Sequence, residues 1–179
     1  MLVLREATQH DAAAIARLHA DSWRSAYRGM LSDDYLDHRV YSERDALWKQ
    51  RFSESTENPF FAILAQVESD LAGFACVFPN NDPIYGAFLD NLHVVPQRTG
   101  QGIGMRLLAA VAERLVTDEK RGGLYLWVIA KNSRARQFYS KAGAQEVERV
   151  VLPMPDGSHQ DEMRCYWPDP ARLLKPPNV

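Results

Sequence analysis

The chain has 179 residues, 46% of them hydrophobic, and a formal net charge of −2 at pH 7. That length can bury a substantial core without covalent staples, and the near-neutral balance gives no general pull toward nucleic acid or an anionic membrane. Cys76 and Cys165 stand alone without a C-x-x-C spacing, so neither a disulfide nor a zinc site is expected, and no metal. No apolar run reaches membrane-spanning length, and the start, Met1-Leu2-Val3-Leu4-Arg5, lacks the pattern of a signal peptide, so a cytoplasmic protein is expected.

Leu2 to Ala7 alternates as a first strand, with Leu2, Leu4 and Glu6 on one face. Thr8-Gln9-His10-Asp11 resembles a capping box, and Ala12, Ile15, Leu18, His19, Ser22 and Trp23 carry helical period to about Trp23. Gly29 and Ser32-Asp33-Asp34 mark a break. A short helix is predicted over Asp33–His38 and a further one over Ser42–Phe52, burying Ala46, Leu47, Trp48 and Phe52. Phe60–Gln66 and Leu71–Phe78 read as an apolar hairpin around Glu68-Ser69-Asp70, followed by a loop at Pro79–Pro83.

Tyr85–Val95 is the central strand, stopped by Pro96, and Thr99-Gly100-Gln101-Gly102-Ile103-Gly104 is a glycine-rich turn. Ile103, Leu107, Leu108, Val111 and Leu115 then recur at helical spacing, with Gly122-Gly123 as a stop. Leu124–Ile129 is a strand. Asn132 is a natural N-cap for a helix whose Ala135, Phe138, Tyr139 and Ala142 share one face and which Gly143 closes. Gln145–Leu152 and Gln160–Trp167 are strands around Met154-Pro155-Asp156-Gly157, and the tail from Pro168 to Val179 is expected to be loose. One domain over 1–167 is expected. The order β–α–α–β–β–β–α–β–α–β–β predicts an α+β fold.

Strand, glycine loop and helix together collect backbone N–H groups where an anion can be held. A dinucleotide fingerprint needs a third glycine where Met105 stands, and its ribose-binding acid is missing after Ile129, where Ala130-Lys131 follow. Gly-Lys-Ser/Thr, required by a Walker A loop, occurs nowhere. The remaining readings of G-x-G-x-G are a pyrophosphate loop and a plain tight connection between strand and helix.

The loop resembles the pyrophosphate loop of the GNAT family, the Gcn5-related N-acetyltransferases, whose motif runs Arg/Gln-x-x-Gly-x-Gly/Ala. Gln97 meets the first position when Gly100 and Gly102 are its glycines; in the usual register that position falls on Thr99. The run from Asn132 to Gly143, N-x-x-A-x-x-F-Y-x-K-x-G, resembles the helix after the fifth strand of the same family, and Ser22-Trp23-Arg24-Ser25-Ala26-Tyr27-Arg28-Gly29 resembles one group within it. The resemblance implies a mixed, partly antiparallel sheet of about seven strands covered by helices.

It also implies the chemistry: acetyl transfer from acetyl-CoA, a co-substrate, to an amine. The main chain of Val94 and Val95 would hold the acetyl and pantetheine groups. The loop Thr99, Gly100, Gln101, Gly102, Ile103, Gly104 and Met105, with Asn132 and Arg136, would hold the rest of the cofactor. Arg98, Arg106 and Arg134 stand near by as further candidates for its phosphates or as solvated side chains. Tyr139 matches the tyrosine that protonates the departing thiolate, and packing of the helix is its other reading. The base is left between Asp90 and His93. Alternation puts Asp90 with Leu92 and Val94, and Asn91 with His93 on the opposite face. Trp23, Tyr27 and Asn91 are the candidates for the acceptor's wall, against simple packing of that helix. The acceptor is expected to be a small-molecule amine, the alternatives being a protein N-terminus or lysine, or a module that binds acyl-CoA without turnover. A monomer or homodimer with neither nucleic-acid nor membrane partner is expected.

Overall fold

The structure, a computed structural model, describes residues 1–118 and 122–174. Its strands are β1 Leu2–Glu6, β2 Phe61–Val67, β3 Asp70–Asp82, β4 Gly86–Val94, β5 Leu124–Ile129, β6 Gln145–Pro153 and β7 His159–Trp167. Its helices are α1 Ala12–Ala26, α2 Val40–Ser53, α3 Ile103–Thr117 and α4 Ser133–Lys141. The sheet runs β1-β2-β3-β4-β5-β7-β6, and every neighbouring pair is antiparallel except β4 and β5. The α+β fold with seven strands is therefore present.

Helices cover both faces of the sheet, which is why the central strands read as continuous apolar runs. Along β2, Ile63 and Ala65 point toward Leu107, Leu108 and Val111 of α3. Ala62 and Leu64 point the other way, to Ile15 and Leu18 of α1 and Trp48 of α2. Trp48 is fully buried and meets Phe74 edge-on at 5.4 Å between centroids. Two aromatic rings locked in that way join α2 to the sheet more firmly than area alone would.

Several boundaries differ from the sequence reading. The first helix continues to Ala26, and the short helix expected over Asp33–His38 is a π-helical turn, Tyr35–Arg39, running without a break into α2. Ala46 is exposed. The buried side of α2 is instead built partly from arginines. Arg44 lies over Trp23 and Arg51 over Trp48, at 4.5 and 5.0 Å from the ring centroids, so their stems fill space that a hydrophobic pattern does not reveal. The expected loop at Pro79–Pro83 is largely strand, because Asp82 Oδ1 accepts the N–H groups of Ile84 and Tyr85 at 2.8 and 2.9 Å and tightens the turn into β4. The tail is not loose where it is described. Pro170–Leu174 forms a 3-10 turn with Pro170 and Leu173 buried, and Leu173 joins the α3 core. Proline fixes the backbone there, and Asp169 Oδ1 accepts the N–H of Ala171 at 3.1 Å. Residues 175–179 lie outside the described part.

Candidate active site

The two central strands part soon after they meet. β4 pairs with β5 only at Ala87↔Leu124 and Phe88↔Tyr125, while on its other side it stays paired with β3 as far as Val94↔Gly73. The cleft that opens between them has a volume of about 840 Å³. Leu92 and Val94 line it from β4, and Leu126 and Val128 from β5. Main-chain groups on that side of β4 have no strand to bond to, which is what a bound chain with amides of its own requires.

At one end of the cleft stands the loop before α3. Gly100 and Gly102 have φ of +82° and +78°, a conformation that costs other residues roughly 1–2 kcal/mol. This turns the chain tightly into the start of α3. Among the described residues the N–H groups of Gly100 to Met105 donate to no protein acceptor. They crown the positive end of a 15-residue helix, so the loop fits a pyrophosphate. Gly104 serves differently. A Cβ there would come within 3.1 Å of the Phe138 ring, so this glycine lets α3 approach α4. Arg98, Lys131 and Arg134 also line the cleft and add positive charge around the loop.

Other candidates for the cofactor lie elsewhere. Val95 does not line the cleft. Its N–H donates to the Ala72 carbonyl at 2.9 Å, and its side chain packs with the α1–α2 layer. The Gln101 amide reaches back to the Gln97 carbonyl. Arg136 is occupied by Glu146, at 2.7 Å, and by the Ala130 carbonyl. Arg106 is exposed. Thr99, Ile103, Met105 and Asn132 do line the cleft, and the Asn132 side chain caps α4 by accepting the N–H of Ala135 at 3.1 Å.

Tyr139 reaches the cleft from α4, held edge-on against Phe138 and Trp167 at 5.3 and 6.0 Å. Burial, with Tyr27 and Cys165 near by, pushes its phenol well above the usual range. Its hydroxyl has no hydrogen-bond partner among the described residues, so the proton is kept and remains free to be donated.

The base candidates are displaced by a bulge. Cys76 pairs with Asn91 but Val77 with Leu89, which leaves Asp90 as the extra residue. The simple alternation that set Asp90 apart from Asn91 is thereby overturned. Both meet one guanidinium of α2, Arg51, which lies 2.7 Å from Asp90 Oδ2 and 3.0 Å from Asn91 Oδ1. Asn91 is buried against this arginine and does not line the cleft, whereas Asp90 and His93 do. His93 Nδ1 is 2.9 Å from Ser22 Oγ, and the imidazole lies 4.8 Å from that of buried His19. Burial and the nearby Arg44 pull the His93 pKa down to about 4, so the ring is neutral at pH 7.

From α1 and the turn after it, Ser25, Ala26, Tyr27 and Met30 also line the cleft. Tyr27 ends α1, and burial, with the charges of Glu162 and Asp90, pushes its phenol up to about 12. Trp23 is not part of that wall. It stands between His19 and Tyr27 at 5.3 and 5.1 Å, and its ring face is taken by Arg44. Lys131 and Trp127 are among the wall residues that the sequence did not single out as site candidates. Lys131 had a signal in its place beside Asn132; Trp127, inside an apolar strand, had none.

Comparison with known proteins agrees with this geometry. The model of the acetyltransferase (GNAT) family matches residues 14–144. An uncharacterized N-acetyltransferase of Bacillus subtilis (strain 168), YuaI, is 30% identical over 175 residues, covering 97% of this chain and 96% of that protein. The aminoglycoside N(6')-acetyltransferase type 1 of Stenotrophomonas maltophilia is 30% identical over 162 residues, 83% and 89% of the two chains. The crystal structure of the PaiA N-acetyltransferase of Thermoplasma acidophilum in complex with coenzyme A shares the fold, with a TM-score of 0.71 at 20% identity over 93% of this chain and 99% of that one. With its glycine loop, its parted central strands and most of its length matched by one family model, the chain belongs to the acetyltransferase (GNAT) family.

Proposed function

We propose that this N-acetyltransferase moves the acetyl group of acetyl-CoA to the amino group of a small-molecule acceptor. The observation that carries the reading is the parting of β4 from β5, with unpartnered loop amides and Tyr27 both on the wall of the cleft that opens. The aminoglycoside acetyltransferase among the relatives supports a small acceptor.

Acetyl-CoA supplies the activated acyl group, and the chain's own residues do the rest. The amides of Gly100 to Met105 and the α3 N-terminus hold the pyrophosphate, with Arg98, Lys131 and Arg134 around it. Unpaired main chain near Val94 aligns the pantetheine and the acetyl carbonyl. Tyr139, protonated and without another partner, donates to the departing thiolate. The ammonium gives up its proton to water in the cleft. His93, neutral with a pKa of about 4, accepts a hydrogen bond from the amine and orients it, while Ser22 fixes the ring. Asp90, tied to Arg51, orients the wall and adds negative charge.

Calorimetry with CoA and NAD, followed by a panel of small amines and of peptides with free N-termini or lysines, tests this with free thiol as the readout. Binding of CoA over NAD and turnover with small amines are expected. Turnover with peptides alone would move the acceptor to the protein class. Binding without any turnover would make the chain a binding module.

A further inference from the structure

Side chains on β7 alternate, so Gln160, Glu162 and Arg164 share one face. Gln160 Nε2 donates to the Met30 carbonyl at 2.7 Å, and the Arg164 guanidinium lies 4.5 Å from the Trp127 centroid. Met30 and Trp127 both line the cleft. Glu162 stands between these contacts, only 9% exposed. Among the described residues it has no hydrogen-bond or ion-pair partner, and burial is the sole influence that pushes its pKa up.

Arg164 does not neutralise it. Its Nε meets Glu148 at 2.9 Å, and its guanidinium is stacked on Tyr85 and Tyr125 as well as Trp127. Arg51, the cation nearest to Asp90, is committed to Asp90 and Asn91. Glu162 is not itself one of the residues that line the cleft, but Tyr27, Met30 and Trp127 beside it are. A largely buried acidic residue with no cation beside its carboxylate is costly, and next to a cleft that arrangement points to a charge supplied by a ligand. Tyr27 on the cleft wall already feels the negative charge of Glu162.

The position relative to the reaction is informative. The acetyl group belongs where β4 and β5 part, and β7 lies on the far side of β5. Adjoining strands are about 4.8 Å apart, so Glu162 is one strand beyond the reacting nitrogen. We propose that Glu162 binds a second, non-reacting ammonium of the acceptor, so that the preferred acceptor is a diamine. The inference rests on the small-amine reading above and adds to it the residue that selects among amines.

Steady-state kinetics with acetyl-CoA and two acceptors of equal chain length, 1,5-diaminopentane and pentylamine, test it on the wild type, Glu162→Gln and Glu162→Asp. The wild type should prefer the diamine. Glu162→Gln should lower kcat/KM for the diamine by about tenfold or more, mostly through KM, and leave pentylamine within about twofold. Glu162→Asp, keeping the charge, should retain part of the preference. An unaltered diamine-to-monoamine ratio in Glu162→Gln, with both amines still acetylated, overturns the role of Glu162 and leaves the small-amine reading standing. Acetylation of neither amine by the wild type overturns both. Glu162→Gln should melt no lower than the wild type. A large fall in melting temperature would make Glu162 a structural residue and overturn the proposal.

Discussion

Tyr139 and His93 face the same cleft with opposite chemical capacities, and their surroundings set both. The phenol of Tyr139 is kept protonated by burial, so it is a donor at neutral pH. Tyr139→Phe keeps the ring packed between Phe138 and Trp167 and removes only the hydroxyl. It should lower kcat by roughly ten- to a thousandfold with little change in CoA affinity. Rapid-quench measurement of the chemical step decides the matter if product release limits turnover. An unchanged chemical step would reduce Tyr139 to packing. His93 is held neutral, with a pKa of about 4. The pH profile of kcat/KM should therefore show no enzyme ionisation near the ordinary histidine value of about 6.5, and any acidic limb from His93 should fall near 4. A limb at the ordinary value that disappears in His93→Gln would contradict the neutral, partly desolvated imidazole described above.

At the scale of elements, the proposed reaction makes the loop and α3 one anion-holding unit, and its shape depends on two left-handed residues. Gly102 has no neighbour within 4 Å of a built Cβ, but its φ is +78°. Gly102→Val should therefore act through backbone strain and lost alignment of the amides, not through a clash in the core. CoA affinity should fall about tenfold or more, while the melting temperature moves little. Calorimetry and thermal melts together check this, and intact CoA affinity would mean that the amides do not hold the cofactor. This unit was legible in the sequence because strand, turn glycines and helix period lie within one continuous stretch, as they do for β5 and α4. The start of α2 was not. The chain runs from the π-helical turn at Tyr35–Arg39 directly into Val40, and the arginines on the buried face of the helix conceal its apolar side. The tail was misread because prolines mark both loose chain and tight 3-10 turns, and only burial of Leu173 against α3 tells them apart.

Over the whole molecule, the parts of the site made by one segment could be read in the sequence, and the parts made by several could not. The bulge at Asp90 depends on its register with β3. The loss of Trp23 from the acceptor wall depends on Arg44 of α2. The isolation of Glu162 depends on where Arg164 goes. None of these leaves a local pattern. The same long-range layer between α1, α2 and the sheet sets how stability responds to acid. His19 is 1% exposed, and its Nδ1 accepts the Trp48 indole N–H at 3.1 Å. Burial first, then His93, Arg44 and Arg51, hold its pKa well below the usual value. Burial and Arg44 do the same for His93, to about 4. Unfolded, both rings would titrate near 6.5. Between that pH and about 4 the unfolded chain binds protons that the folded chain does not, so the free energy of unfolding should fall as pH is lowered through this window. Glu162 works in the opposite direction. Its raised folded pKa favours the folded state on acidification, but it is one group against two. The other three histidines, His10, His38 and His159, are exposed. Urea midpoints measured from pH 7.5 to 5 should therefore decline, His93→Gln should flatten the decline, and Glu162→Gln should steepen it. Midpoints that stay level in the wild type would mean that the two imidazoles are not held neutral by the fold, and the assignment of His93 as a neutral hydrogen-bond acceptor for the amine would fall with them.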